Sequence, residues 1–568
     1  MTNRFKPVLL LILGLMLVLS GCANSNNGKG NEAAGADKGG NTAAPITADP
    51  APVGEEKVSP AGEFPITKEK TTLRVMVMEN GAVEDFATNA FTKYLEEKTN
   101  IQIDWDIVPG SAAAEKLNLV LAGGDLPDVI MNMWVSNAQQ MVYGSQGIII
   151  PLNDLIEKYG KETKRIFAEN PLIQEAITAP DGKIYALPSP NDCYHCSMIQ
   201  KMWVYQPWLD ELGLKKPTTT DEFYEMLKAF KTQDPNKNGK ADEIPLSGGP
   251  KGWETRVDKF LMNAFIYNPA NYVYLNNGKA DVPFNKPEWK EGLAYLHKLY
   301  DEGLLDPQAL TQDGAQLRQL GENPDVPILG ASGAGYMGEL TQDNGASGRW
   351  KQYTTLAPLR GPGGLQVAPL GAYHPNGGNF VITKAAKNPE AAFRLADALY
   401  DLEMTLRSVV GIPGKQWDWA SKDEIGINGK PAIWKRLLPD GQVQNDSWAQ
   451  TGPSYRSNDM RLGEVNHPEQ SLEPILYNET KTNYEPYKAS NDLVLPNLFF
   501  TSEQSAELAD LQKTINDFVD ESLARFITGD QDVAKDWQEY VKNLEQMNVK
   551  RYLEIYQQAY DAKLASMK

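Results

Sequence analysis

The most specific chemical pattern in the chain is Asp234-Pro235-Asn236-Lys237-Asn238-Gly239-Lys240-Ala241-Asp242-Glu243. Counted from Asp234, oxygen-bearing side chains fall at positions 1, 3, 5 and 9, with glycine at 6 and a backbone carbonyl at 7. That spacing wraps hard oxygens around one Ca²⁺, and Gly239 permits the sharp turn. Position 12 is Pro245 and not a bidentate glutamate, so Glu243 at position 10 is expected to supply that carboxylate. The expected ligands are Asp234, Asn236, Asn238, the Lys240 carbonyl, Asp242 and Glu243. No second loop of this kind exists to pair with it, so the expected role is to staple a loop and not to sense calcium. A polar turn between a helix and a strand is the alternative.

A second group of residues suits sugars. The chain has 12 Trp and 24 Tyr, and Trp203, Trp253, Tyr336, Trp350, Tyr373, Trp448 and Tyr455 fall in stretches that read as loops. Flat aromatic faces stack on the C–H faces of sugar rings, while amides and carboxylates bond the hydroxyls. For each of these aromatics, burial in a core is the alternative. Catalytic patterns are missing. None of the four histidines, His195, His297, His374 and His467, lies in a metalloprotease spacing. Gly330-Ala331-Ser332-Gly333-Ala334-Gly335 misses the nucleophile elbow and the dinucleotide pattern, and no phosphate-binding loop lysine follows a glycine loop. Two carboxylates for glycoside hydrolysis need a set separation in space, which 74 Asp and Glu could meet anywhere. An enzyme is therefore unsupported, though a secreted polysaccharide-degrading enzyme stands as the alternative.

The three cysteines divide into Cys22 and the pair in Cys193-Tyr194-His195-Cys196. In an oxidising exterior the pair forms a small disulfide loop or stays as two thiols. A thioredoxin-like site would lie at a helix start after a strand, and a metal site would recruit His195. Here the motif follows Leu187-Pro188-Ser189-Pro190-Asn191-Asp192, which reads as a loop.

The elements that must position these groups follow an α/β pattern. Thr72–Met78 is a strand by its β-branched and apolar content. Asp85–Lys98 places Phe86, Ala90, Phe91, Tyr94 and Leu95 on one helical face. Ile101, Ile103, Trp105 and Ile107 alternate as a second strand; a short helix with Leu117, Val120 and Leu121 stops at Gly123-Gly124; Asp125–Met131 enters a third strand. This order predicts right-handed crossovers, a parallel sheet, and a ligand beyond the carboxyl ends of its strands. Glu79, Asn80 and Trp134 would stand there. Gly182–Pro188 reads as a further short strand, and near Asp192 the chain is expected to cross to a second lobe. Lys201–Tyr205 starts that lobe's sheet, and Thr219 with Glu222 has capping-box spacing. Asn379 lies in a strand returning to the first lobe, and three amphipathic helices close the chain from Leu508 onward.

Length and charge bound the rest. A chain of 568 residues exceeds what one core supports. Its net charge of −19 argues against nucleic acid. Arg4 and Lys6, the apolar run Val8–Leu19 and Leu19-Ser20-Gly21-Cys22 form a secretory signal with a site that resembles a lipobox. This implies cleavage after residue 21 and acylation of the Cys22 thiol, as by palmitate. Residues 22–66 are rich in Gly, Asn, Ala and Pro and serve as a flexible tether.

A family resemblance draws these readings together. Leu117–Val129, Gly182–Pro188 and Trp208–Leu214 resemble segments of extracellular solute-binding lipoproteins of ABC importers, and Pro217–Leu246 is similar to the calcium-containing region of alginate-binding members. The resemblance implies a bilobal type II periplasmic-binding-protein fold with a hinge and a central cleft. It implies capture of an oligosaccharide or other small solute for membrane permease subunits, at the outer face of the membrane, by a monomer held through lipid alone. A glycan-binding surface module is a further alternative. The expected division is 67–191 with 371–405 for lobe 1, and 192–370 with 406–568 for lobe 2. Expected ligand residues, on position and chemistry, are Glu79, Asn80, Asp192, Trp203, Trp253, Tyr336, Trp350, Tyr373, Asn379, Trp448 and Tyr455.

Overall fold

The computed structural model describes residues 58–343, 345–439, 443–469 and 471–566. The leader, Cys22 and the tether up to residue 57 lie outside them. Strand β1, Thr71–Met78, is organised by Leu73, Val75 and Val77 on one face and Met76 on the other, all buried. It pairs in parallel along its full length with β2, Ile101–Val108, and in parallel with β3, Val129–Met131. The sheet is mixed and not purely parallel: the returning strand Phe380–Ile382 runs antiparallel to β3. Parallel neighbours with crossover helices bury both faces of the central strands, so β1 and β3 carry buried apolar residues on each side, while β2 at the edge alternates with Gln102, Asp104 and Asp106.

The helix after β1 is Ala90–Thr99, five residues shorter at its start than the periodicity predicts. Asn89 takes the N-cap and accepts from the Phe91 amide at 3.1 Å, while Asp85 accepts from the Ala87 amide at 2.8 Å in the turn before it. Phe86 still reaches the core, from that turn. Gly182–Pro188 does not form a strand. It makes only isolated pairs, Thr178 with Ile184 and Leu187 with Phe380, because Asn153 takes the Ile184 amide and Pro188 has none to give.

Lobe 2 is built on a second four-stranded sheet. Strands β4, Met202–Tyr205; β5, Ile244–Ser247; β6, Leu329–Gly333; and β7, Tyr353–Leu356 lie in the order β5-β6-β4-β7. β5 and β6 are parallel, and β4 is antiparallel to both its neighbours. Ahead of β5, helix Thr220–Thr232 is capped by Thr219, whose hydroxyl accepts from the Glu222 amide at 3.1 Å. Only half of the expected capping box forms, since the Glu222 carboxylate turns to the Thr218 amide at 2.7 Å. The carboxyl-terminal helices Ser502–Thr528, Val533–Gln546 and Val549–Ser566 pack Ile515, Val519 and Phe526 into the same core as Leu293, Leu296 and Leu299 of helix Pro287–Asp301. The last helix also reaches lobe 1, where Lys563 meets Glu175 at 2.7 Å.

Three stretches of chain join the lobes. Residues 188–197 and 371–376 run side by side, with the Gly371 amide on Ser197 O at 2.9 Å and the Asn376 side chain on Ser189 O at 3.1 Å. The third crossing was expected at residue 406 and comes later, near Arg456. Residues 406–456 do not move to lobe 2 but return to lobe 1: Trp448 and Tyr455 enter its core, and the Trp448 indole donates to Thr92 at 2.8 Å. Only then does the chain cross, beside the first stretch, with the Asp192 amide on Arg456 O at 2.9 Å and the Arg456 amide on Pro190 O at 3.0 Å. At the other end of lobe 1, the segment from Val58 to Thr67 is fastened down. Fully buried Arg394 donates to Pro60 O at 2.9 Å and Glu63 O at 2.8 Å, and the Ile66 amide donates to Thr99 O at 3.0 Å.

Phe526 is fully buried where the terminal helices meet lobe 2. Phe526→Ala is expected to destabilise lobe 2 by roughly 3–5 kcal/mol, through lost transfer energy and a cavity. Denaturant unfolding followed by circular dichroism checks this; a change below about 1 kcal/mol would show that these helices are not part of the lobe's cooperative core.

Candidate functional site

The acidic loop joins the end of helix Thr220–Thr232 to β5. Asp234 accepts from the Asn238 amide at 3.2 Å and the Gly239 amide at 3.0 Å, which curls the loop around its carboxylate. The Asn238 side chain accepts from the Lys240 amide at 2.7 Å and donates to both Asp242 oxygens at 3.1 and 3.0 Å. Asn236 donates to Asp242 at 3.0 Å. Backbone at Asp234, Lys237 and Gly239 takes the left-handed conformation, with φ of 48°, 58° and 72°. Glu243 Oε1 is enclosed and has no hydrogen-bond partner. Burial, followed by the charges of Asp234 and Asp242, holds its carboxyl above the usual carboxylate range. Three carboxylates, one of them with an orphaned buried oxygen, and two amides form a donor set whose chemistry suits a hard divalent cation.

The second assembly is drawn from residues just past the strands of each sheet and from the crossings. On lobe 1, Glu79 and Asn80 follow β1, as expected. Their groups are spent within lobe 1: Glu79 accepts from the Gly110 amide at 3.0 Å, and Asn80 donates to the Ala449 carbonyl and the Thr451 hydroxyl, each at 3.0 Å. Trp134, just past β3, is 48% exposed and sits at a φ of 56°. On lobe 2, Trp253 is 39% exposed, with its ring over Gly335 and 5.8 Å from Tyr336, at the carboxyl end of β6. Polar pairs lie at the crossings beside Trp253. Gln450 accepts from Arg456; Arg461 pairs with Glu473, donates to Asn191 at 2.7 Å and to His195 at 3.4 Å; and His195 lies 6.5 Å from the Trp253 ring. Arg456 Nε and Arg461 Nε are enclosed without a partner.

Backbone strain gathers in the same region. Asn132, Trp134, Glu254, Ala449 and Gln450 are non-glycine residues at φ of 55°, 56°, 56°, 46° and 72°. Such conformations cost energy and collect at ligand clamps, where surrounding packing enforces them. Beneath the polar pairs, buried Lys201 donates to His195 O at 2.7 Å and faces the Tyr484 ring at 5.2 Å. Burial brings its amine down to about 7, and burial with the charges of Arg461 and Lys201 keeps His195 well below its usual range.

Several expected ligand residues are structural here. Trp203, Trp350 and Trp448 are at most 3% exposed, in the cores of lobe 2, lobe 2 and lobe 1 respectively. Trp203 donates to Ala334 O at 3.0 Å, and Trp448 is wedged between Phe91 and Trp105, with ring centroids at 4.8 and 5.4 Å. Asn379 is 1% exposed and pairs with Asn132 at 3.3 Å. Aromatic type and a loop assignment do not reveal that a loop folds back into the core. Asp192, Tyr373 and Tyr455 are brought together, but at the crossing segments and not beside Trp253. Gln450, Arg456 and Arg461 were missed; none lies in a motif. Cys193 and Cys196 form a disulfide, so their sulfurs are not free to join His195 around a metal.

Two α/β lobes joined by three crossings, with aromatics and strained backbone between them, define a solute-binding protein. A model of the bacterial extracellular solute-binding protein family matches residues 80–404, and the chain belongs to that family. It is similar to the fructooligosaccharide ABC transporter substrate-binding protein FusA of Streptococcus pneumoniae serotype 4, at 31% identity over 511 residues, covering 88% of this chain and 91% of that protein. The fold superposes on S. pneumoniae FusA in complex with kestose with a TM-score of 0.75 and 27% identity, over 87% of this chain and 100% of that one. A FusA EF-hand mutant in complex with fructo-nystose gives 0.74 at the same identity, over 87% and 100%.

Proposed function

We propose that this protein captures an oligosaccharide outside the cell and delivers it, chemically unaltered, to an ABC permease, from a lipid anchor at Cys22. The observation that carries the reading is the partly exposed Trp253 ring at the carboxyl end of lobe 2's sheet, set against Tyr336. Such a pair offers a stacking face with polar donors at its edge, which is what a sugar ring needs. Likeness to a relative named for fructooligosaccharides makes kestose the first probe. The lobes close over the guest by bending at the three crossings, and the guest shifts that equilibrium by its preference for the closed form. Kestose is expected to bind saturably in isothermal titration calorimetry. Trp253→Ala should weaken it at least tenfold, about 1.4 kcal/mol, with an unchanged melting temperature. Binding of kestose without loss on this substitution would remove Trp253 from the site; hydrolysis of kestose on prolonged incubation would overturn the reading.

The same reading gives the acidic loop one structural Ca²⁺, held by Asp234, Asn236, Asn238, the Lys240 carbonyl, Asp242 and Glu243. The orphaned Glu243 oxygen supports it. When bound, the ion neutralises the three carboxylates and ties helix Thr220–Thr232 to β5. Removing calcium with a chelator is expected to lower the melting temperature by a few degrees through lost mass-action stabilisation. Asp234→Ala should abolish both that shift and the calcium measured by mass spectrometry; calcium content unchanged in Asp234→Ala would exclude this loop.

A further inference from the structure

Glu254 follows Trp253 directly and holds a left-handed backbone, at a φ of 56°, that its residue type disfavours. The chain on both sides of it is pinned. Trp253 O accepts from the Gly335 amide at 2.9 Å, and Thr255 O accepts from the Gly249 amide at 3.0 Å while the Thr255 hydroxyl donates to Gly249 O at 2.6 Å. A Cβ on Gly333 would stand 3.4 Å from Glu254 O, so the end of β6 passes directly against this turn. The turn therefore fixes where the Glu254 side chain starts. Among the described residues, its partly enclosed carboxylate finds no hydrogen bond or ion pair. The cations near it are engaged elsewhere: Lys259 donates to Ala270 O at 3.0 Å, Lys201 to His195 O at 2.7 Å, and Arg256 to Asp258 at 2.9 Å and Asp520 at 2.8 Å. Burial holds the Glu254 carboxyl above its usual range, against the pull of Lys259, Arg256 and Lys201. A carboxylate held beside a stacking ring without donors lacks the O–H or N–H groups that such acceptors ordinarily find.

We infer that Glu254 is the residue that selects an uncharged sugar at this site: its carboxylate accepts hydroxyl groups of the ring stacked on Trp253 and turns away sugars that carry carboxylates of their own. The inference rests on the oligosaccharide reading and narrows it to neutral chains. Two hydroxyls on neighbouring carbons match the two oxygens of one carboxylate. A uronic acid in the same place would set like charges together in a partly enclosed site, which works against binding. A cationic sugar is not called for, since Lys259, Arg256 and Lys201 already place positive charge near this carboxylate. Glycine would adopt the turn freely, so the carboxylate stands here at a cost in stability.

The test titrates two probes into the full protein and its variants: kestose, and kestose whose primary hydroxyls have been oxidised to carboxylates. The unaltered protein is expected to hold the oxidised form about a hundredfold or more less tightly than kestose. Glu254→Gln keeps the shape and removes the charge; it should weaken kestose about tenfold and narrow the gap between the two probes to about tenfold or less. Glu254→Gly should weaken kestose at least as far, with a melting temperature no lower than that of the unaltered protein, because the turn is relieved of strain. Kestose affinity unchanged in both variants, while Trp253→Ala weakens it, would overturn this inference and leave the cleft reading standing. So would a lower melting temperature in both variants with an unchanged gap between the probes, which marks a carboxylate that only steadies the loop. Kestose held equally well by Trp253→Ala would refute the site itself, and no kestose binding by the unaltered protein would refute the reading and this inference with it.

Discussion

Everything about this molecule rests on how three strands of backbone are stitched together where they pass between the lobes. The pairs Gly371–Ser197, Asn376–Ser189, Asp192–Arg456 and Arg456–Pro190 join stretches separated by up to 266 positions in sequence. They tie the two lobes, each with its own four-stranded sheet, to one another. In sheets of this kind ligands collect beyond those ends, because loops there are free to vary while the strands stay packed. On the proposed function, opening and closing is the motion these crossings would have to allow.

Buried charge follows the same plan. Lys201, at the start of β4, gives its ammonium to the carbonyl of His195 and to the face of Tyr484, and so fixes the end of the disulfide loop to the sheet. Burying an ammonium without such partners would cost several kcal/mol, so its place at the mouth of the first crossing is a costly one. The same loop carries the His195–Arg461–Glu473 relay.

Much of the frame was legible in the sequence, and particular residues show where legibility ended. Val75, Val77, Ile101 and Ile103 announce buried parallel strands because their alternation is local. Asp234 to Glu243 announces an oxygen-rich loop because the chemistry requires fixed offsets. The start of the first helix was misplaced because Asn89 outcompetes Asp85 for the cap, a contest decided partly by its side chain bonding Ser447 O at 2.8 Å, 358 residues away. The return of residues 406–456 to lobe 1 hangs on Trp448 meeting Thr92, Phe91 and Trp105, and nothing near Trp448 in sequence encodes that. Ala449 and Gln450 hold left-handed backbone that neither residue type advertises. Residue type told of sugar chemistry; only tertiary packing told which aromatics were still available for it.

One small fastening has a mechanical consequence. Arg394 grips the carbonyls of Pro60 and Glu63, so the chain leaves for its amino terminus from a point riveted to lobe 1. Any pull along that terminus is borne by lobe 1 as a fixed jaw, and the stroke of the instrument belongs to lobe 2. A docking partner that reads the stroke would then meet one stationary surface and one travelling surface, in an order set by how the segment from Val58 to Thr67 is pinned to lobe 1.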